Sequence, residues 1–384
     1  MARYLGGRLV SGVVTLFLFV TFLFFVVAVV LPGDWTSQFI MTGDGRISLQ
    51  EALGLDRPLW NQYVDWMSGI FTLDLGESFT GVGVWEMISG ALPSTLFVLV
   101  LGVGAAFLLG AWLGRLSAYS FKPPLTASLT FVSILFLTAF PPAIAVAIER
   151  GGRNWLGFTA YNEVRHLNQE LWFEQVASPV QVMWRMVFVL FATGLALVMI
   201  RLVSTRFLRR RVPGWVTPIV VVVVSLMAWR LMGISDLAFD LSLAMLVLIA
   251  GVVILTFGEV VLVTRAAMDD TLLEDYVMVA RAKGLPERQV RDKYAARPAL
   301  LPILSRLVVT IPYFLTGLVI LESVFGGGGM GSLIFNAVTD QDIPVVVGSL
   351  LVIGVLTLLL RLGLDLAQAS LDPRVRFGEP NDER

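Results

Sequence analysis

DDTLLEDYVMVARAKGLPERQVRDKYAARPAL, residues 269–300, is a charged segment set between two apolar runs, 241–264 and 302–325. Runs of about 20 apolar residues cross a bilayer as helices, so this segment joins two spans at a membrane surface. It also carries helix punctuation. Thr271 followed by Glu274 has the form of a capping box, and Gly284 stands where a left-handed cap stops a helix. Pro286 suits the first turn of a second helix, where the amide it lacks would have no intrahelical partner. Leu272, Tyr276, Val279 and Lys283 recur at helical spacing on the first helix, and Val290 and Tyr294 repeat the pattern on the second. The expectation is two helices meeting at a bend. A solvated loop carrying inner-side positive charge accounts for the same residues, and spacing alone does not separate the two.

Composition says the same of the whole chain. Of 384 residues 57% are hydrophobic and 15% are charged, whereas soluble domains are about 25% charged. The apolar runs are continuous and do not alternate with polar residues, which points to helices and away from a β-barrel. A net charge of −1 gives no footing for a nucleic-acid partner. The absence of cysteine excludes disulfides, thiolate catalysis and cysteine-ligated metal. A lone His166 in a polar loop is a bystander, since metal sites need several ligands.

Eight apolar runs are readable: 9–31, 92–114, 125–148, 184–203, 215–233, 241–264, 302–325 and 343–367. The first is longer than the 7 to 15 residues of a signal-peptide core, and no small-x-small site precedes Leu31-Pro32-Gly33-Asp34, so it reads as an uncleaved helix. The run 215–233 is the weakest, being interrupted by Pro218 and Arg230. Were it and 184–203 not to span, six would remain with the same orientation. Lysine and arginine in short loops set that orientation. Arg115 and Lys122, then Arg206, Arg209, Arg210 and Arg211, then the 269–300 segment with Lys283 and Lys293, then Arg374 and Arg376 fall on one side. That side is read as cytoplasmic, with both termini. The other side receives the acidic loop 34–91, with Asp34, Asp44, Glu51, Asp56, Asp65, Asp74, Glu77 and Glu86, and a polar insert at 150–183.

The spans lack the mid-membrane carboxylates and histidines of pumps and proton-coupled carriers. Arg185, Arg201, Arg230, Asp236, Asp240, Glu259, Arg306, Glu322, Arg361 and Asp365 are read as interfacial, within a few turns of a helix end where long side chains snorkel. Glu322 is the exception, placed for a specific hydrogen-bonding role before the glycine run 326–329. That run has no Lys-Ser/Thr after it, so it is a permissive re-entry between spans and not a phosphate-binding loop. No nucleophile elbow, histidine-rich helix or carboxylate pair is readable. The energy for any transport is therefore expected from outside the chain.

Several ordered motifs carry a family resemblance. Leu31-Pro32-Gly33-Asp34 is followed by Leu53-Gly54-Leu55-Asp56-Arg57-Pro58-Leu59-Trp60-Asn61-Gln62-Tyr63 and Asp74-Leu75-Gly76-Glu77-Ser78. Asp275-Tyr276-Val277, Ala280-Arg281-Ala282-Lys283-Gly284-Leu285 and Ala299-Leu300-Leu301-Pro302 come next. Glu322-Ser323-Val324-Phe325, Gly329-Met330-Gly331, Asp342-Ile343-Pro344-Val345-Val346-Val347-Gly348 and Leu371-Asp372-Pro373-Arg374-Val375-Arg376 close the series. In order and spacing the chain resembles the B-type permease subunit of bacterial ABC importers for dipeptides and oligopeptides.

The resemblance implies an all-α, polytopic membrane bundle of the type I importer kind, here with about eight helices as a six-span core plus an extra hairpin. It implies a non-catalytic subunit of a bacterial or archaeal cytoplasmic membrane, forming half of a path for peptides. Its partners would be a second permease, two ABC ATPases that bind the ATP and magnesium, and an extracytoplasmic binding protein. The 269–300 segment is similar to the family's EAA loop, so Asp275, Tyr276, Ala280, Arg281, Ala282, Lys283 and Gly284 would form or brace the ATPase contact. Small Ala280, Ala282 and Gly284 would allow close approach, with Arg281 and Lys283 at the rim. Glu322, Gly329 and Gly331 are candidates for a gate or structural clamp.

The chain then divides into a first span (1–33), an outer loop (34–91), spans two and three (92–149), an insert with the extra hairpin (150–240), the permease core (241–370) and a tail (371–384). Two features depart from the family pattern. Pro298 replaces a polar residue, and 150–240 is added, its hairpin expected at the periphery. A secondary carrier or channel acting alone would show inverted-repeat hydropathy and broken mid-span helices. A membrane scaffold would dock through 269–300 and transport nothing. Nickel chelates, sugars or opines stay open as cargo alongside peptides.

Overall fold

The computed structural model describes residues 2–26, 28, 57–72, 74–119, 122–156, 172, 178–203 and 216–371. In chain order the helices are α1 (Ala2–Phe25), α2 (Leu59–Thr72), α3 (Val84–Tyr119), α4 (Pro123–Thr138), α5 (Pro141–Leu156), α6 (Pro179–Val203) and α7 (Val216–Leu231). They continue as α8 (Ser235–Ala244), α9 (Leu246–Leu272), α10 (Asp275–Ala282), α11 (Glu287–Gln289), a π-helical turn (Val290–Ala295), α12 (Ala296–Phe325), α13 (Met330–Thr339) and α14 (Ile343–Leu371). The motifs at 31–34 and 53–56, His166, the arginines at 206–211 and those at 374 and 376 lie outside the described residues, as does most of the polar insert.

Eight straight spans do not form among the described residues. Four helices there are long and apolar enough to cross a bilayer, or up to six spans if each of two bent pairs counts as one. Leu9–Phe25 and Ile219–Leu231 are shorter apolar helices. One bent pair replaces the expected single span 125–148: α4 and α5 meet at 110°. Pro141 and Pro142 cause the break. They lack the amides that the carbonyls of Leu137 and Thr138 would bond in an unbroken helix, and a proline drives the residue before it out of the helical region. The chain leaves the helix at Ala139, two residues before Pro141, with an extended ψ of 132°. The other bent pair, α12 with α13, turns through 80° at the glycine run.

The bundle is organised around α9 packed along α3. Gly102, Ala106, Gly110 and Gly114 form a stripe of small residues on α3, one per turn. A Cβ added at Gly102, Gly110 or Gly114 would stand 2.7 to 2.8 Å from Val252, Val260 or Thr264 of α9. On another face of α9, Gly258 sits against the Ser133 carbonyl of α4. Without side chains at these points the backbones approach closely and dispersion contacts accumulate.

Of the hairpin expected at the periphery, α6 packs into this core, while α7 leaves Ile219, Val222, Val223, Leu226 and Met227 exposed. Val182, Met183, Met186, Val187 and Leu190 of α6, with Trp229 of α7, are buried in the main apolar cluster beside Phe97, Leu241, Leu248, Leu321 and Phe325. At the end opposite the 269–300 segment, Ser78 Oγ donates to Asp342 Oδ2 at 2.5 Å, and Asp342 caps α14 by accepting from the Val345 amide at 3.4 Å. The loop after α2 is thereby tied to the start of the last helix.

Candidate functional site

The bend expected in 269–300 is present, with different boundaries. Thr271 is no cap. It lies within α9, where its hydroxyl donates to the Ala267 carbonyl at 2.6 Å, and α10 starts at Asp275 after Glu274, with no side-chain cap. The competition between capping and back-bonding to residue i−4 is resolved by α9 continuing its packing. The stop is as expected. Gly284 takes a φ of 72°, its amide bonds the Arg281 carbonyl at 2.9 Å, and the Leu285 amide bonds the Ala280 carbonyl at 3.4 Å, a complete Schellman motif.

Pro286 caps the next helix. That helix runs through the π-helical turn into α12, so there is one continuous helical path and no separate second helix. Pro298 explains the π turn. It removes the i+4 donor for the Tyr294 carbonyl, and the wider i→i+5 spacing avoids that clash, as in the Ala296 amide bonding the Arg291 carbonyl.

The buried face of α10 is also not the expected stripe. Val277 and Ala280 pack inward on Val290, with Leu272, Leu285 and Tyr294 around them. Tyr276 and Val279 face outward with Met278, and Leu273 is 80% exposed at the preceding turn. Ala280 therefore serves the hairpin's own packing. Asp275, Arg281, Ala282, Lys283 and Gly284 are not buried. Asp275 sits in the first turn of α10, where a negative charge suits the helix dipole.

A charge network braces the bend. Arg281 reaches across the Gly284 turn to Glu287 at 3.3 Å, Tyr119 at the end of α3 donates to Glu287 at 2.9 Å, and the Arg291 guanidinium lies 5.4 Å from the Tyr119 ring centre. Arg291 holds Asp292 in a two-point contact at 2.6 and 2.9 Å. That hydrogen bond is the main reason the Asp292 carboxyl titrates below the usual carboxylate range, against an opposing effect of burial. Burial first, then Glu274, pushes the Tyr276 phenol up.

A depressed folded-state pKa adds stability above the unfolded value near 3.9, lost as pH falls through the folded value. Asp292→Asn is expected to lower the melting temperature by about a degree or two at pH 7, as for a pair worth under about 1 kcal/mol. The difference from wild type is expected to hold down to about pH 4 and to shrink only as pH falls further, through the folded-state value, when both are melted by scanning fluorimetry.

Glu322, Gly329 and Gly331 come together at the other end of the bundle. Glu322 is buried and accepts from Thr95 Oγ1 of α3 at 3.0 Å and from the Gly331 amide at 2.6 Å. Thr95 in turn accepts from the Met330 amide at 2.8 Å. Two orphan amides at the start of α13 are thus satisfied by a carboxylate from α12, directly and through a hydroxyl of α3. A Cβ at Gly329 would collide with the Glu322 carboxylate, and one at Gly331 would lie 2.5 Å from Val319 Cα. Gly326 and Gly328, with φ of 68° and 60°, supply the left-handed turn between the helices. The re-entry is a built corner.

One site escapes sequence reasoning. Glu259 is the middle residue of the 27-residue α9, and its carboxylate is 2.6 Å from Nε of Arg306 on α12. A charge about 20 Å from either helix end has no partner in the linear sequence, and only the α9–α12 packing reveals one.

The family described as "Binding-protein-dependent transport system inner membrane component" matches residues 172–377, and its N-terminal companion matches 1–98. The first match takes in α6 and α7. The dipeptide transport system permease protein DppB of Lactococcus lactis is 28% identical over 98% of this chain and 100% of its own. DppB of Escherichia coli K12 is 28% identical over 98% and 99%, and the oligopeptide transport system permease protein AppB of Bacillus subtilis is 26% identical over 98% and 100%.

Proposed function

We propose, from the premise that this chain belongs to the family of binding-protein-dependent transport system inner membrane components, that it is a permease subunit of an ATP-driven peptide importer. It forms half of the path, and a second permease forms the other half. ATP is hydrolysed by two separate ATPase subunits, and an extracytoplasmic protein delivers the peptide. Both termini and the 269–300 segment face the cytoplasm. The end-to-end match to permeases named for dipeptides and oligopeptides supports peptides as cargo.

The observation that carries the coupling role is α10 itself. It is a short helix between two spans, closed by a Schellman cap, showing Leu273, Tyr276, Met278 and Val279 outward while Val277 and Ala280 anchor it inward. An apolar patch on a charged segment is the surface an ATPase groove would cover. The Arg281–Glu287–Tyr119 chain connects that lever to α3, and the helical path 287–325 connects it to α12. Displacement of α10 can then move spans as rigid bodies.

The test is a charge exchange across the bend. Arg281→Glu faces Glu287 with a like charge and is expected to reduce ATP-driven peptide uptake severalfold in proteoliposomes holding the whole transporter. Arg281→Glu with Glu287→Arg restores the pair and is expected to recover most of the loss. Full uptake in the single variant, or ATP-independent uptake by the wild-type chain alone, sinks the coupling assignment.

A further inference from the structure

Three stripes run along α2, each at helical spacing. Tyr63, Trp66 and Ile70 are half-buried; Trp60, Val64, Met67 and Phe71 come next around the helix; Asn61, Asp65, Ser68 and Thr72 follow, all exposed. The first stripe meets α1. The Tyr63 hydroxyl is 2.9 Å from that of Thr21, and the Phe24 ring centre lies 5.2 Å from Tyr63 and 5.5 Å from Trp66. The polar stripe suits water, where Asp65 pairs with an equally exposed Arg57 at 3.3 Å. The middle stripe is apolar and open, with Trp60 70% and Phe71 81% exposed.

Depth decides what covers it. Thr21 and Phe24 fall inside an apolar run that continues to Leu31, so α1 meets α2 at the level of acyl chains and not above them. The contacts come from one turn of each helix, as when two helices cross. Phe22 and Phe25, the neighbours of Phe24, are exposed on α1 as well. An occupant arriving from water would meet the polar stripe first. At its far end α2 enters a loop that is fixed to other helices: the Asp74 amide bonds the Gly69 carbonyl at 2.8 Å, Leu75 packs on the cluster of Val84 and Val345, and Ser78 bonds Asp342.

We propose that α2 is a lipid-binding helix, lying in the leaflet away from the 269–300 segment with Trp60, Val64, Met67 and Phe71 among acyl chains. Asn61, Asp65, Ser68 and Thr72 then face the headgroups and water. A helix with aromatic residues on one face and polar ones on the other lies in the interface plane, its apolar face sunk below the headgroups. Tryptophan suits that boundary because its ring is apolar and its N–H is polar. Seated so, α2 holds the ends of α1, α3 and α14 to one membrane surface. The inference goes beyond the peptide-permease reading and does not depend on what the path carries.

The chain's lack of cysteine gives the test a clean background. Single variants Trp60→Cys, Val64→Cys and Phe71→Cys on the apolar stripe, and Asn61→Cys and Ser68→Cys on the polar one, carry a nitroxide in the whole transporter. The vesicles are of phosphatidylethanolamine and phosphatidylglycerol, and label taken up by the unsubstituted transporter is subtracted. Collision with oxygen, which concentrates in lipid, is compared with collision with a water-soluble nickel chelate. The oxygen-to-nickel ratio is expected to be severalfold higher at 60, 64 and 71 than at 61 and 68. Equal ratios on the two stripes would place both in water and overturn the proposal. Low collision with both reagents at 60, 64 and 71 would mean that protein covers the stripe, and overturns it too. Both stripes are read at more than one position, so a variant that fails to assemble leaves the comparison standing.

Discussion

A Gly284→Val transporter is expected to insert and assemble, yet to lose ATP-driven uptake by about tenfold or more while its ATPases still turn over. Gly284 has a φ of 72°, and no neighbouring atom lies within 4 Å of a Cβ added there, so the obstacle is conformational and not steric crowding. An L-residue in the left-handed region costs roughly 1–2 kcal/mol, and a β-branched one is a genuine outlier. The turn relaxes by giving up the Gly284 and Leu285 amide bonds that close α10, and with them the angle between α10 and the path into α12. A tenfold effect corresponds to about 1.4 kcal/mol, within that strain. Uptake and ATP hydrolysis measured on the same proteoliposomes decide the matter. Gly284→Asn is expected to be much milder, because asparagine tolerates the left-handed region. Normal uptake with Gly284→Val would show that the bend transmits nothing.

Glu322→Leu is expected to produce the largest loss of stability. It leaves the Gly331 amide and the Thr95 hydroxyl without their acceptor in a buried corner. Each unsatisfied buried group costs about 1–3 kcal/mol, so several kcal/mol are at stake. Glu322→Gln keeps one acceptor oxygen and is expected to lose roughly half as much. Melting of the detergent-solubilised protein, followed by intrinsic fluorescence, should rank wild type above Gln and Gln above Leu. Gly331→Ala is expected to resemble Glu322→Leu, since its methyl group meets Val319 Cα and the carboxylate together. If Glu322→Leu melts with the wild type, the corner is not held by this carboxylate.

The two ends differ in how readable they are. Gly284 and Pro286 bear backbone rules that hold wherever they occur, so the bend between them is legible. Thr271 reads as a cap and is none, because two local bonds compete for one hydroxyl and the helix upstream decides which forms. The α10 stripe misleads for a related reason. An eight-residue helix shows two turns of pattern, and Tyr276 with Val279 fits an inward face as well as Val277 with Ala280 does. Glu322 stands out because a carboxylate beside a glycine run is conspicuous, whereas Glu259 and Arg306 lie 47 residues apart on different helices.

Composition and apolar run length by themselves determined a helical membrane protein, for these act through solvation over a few residues; the break at Pro141 and Pro142 in the third run, which reads as one span, came only with the structure. Tertiary structure alone decided which charges meet, which face of α10 is left open, and that α6 is built into the core. Those outcomes depend on close approach between segments distant in the chain, made possible by glycines at 102, 110, 114, 258 and 331 whose purpose shows only when their neighbours are in place.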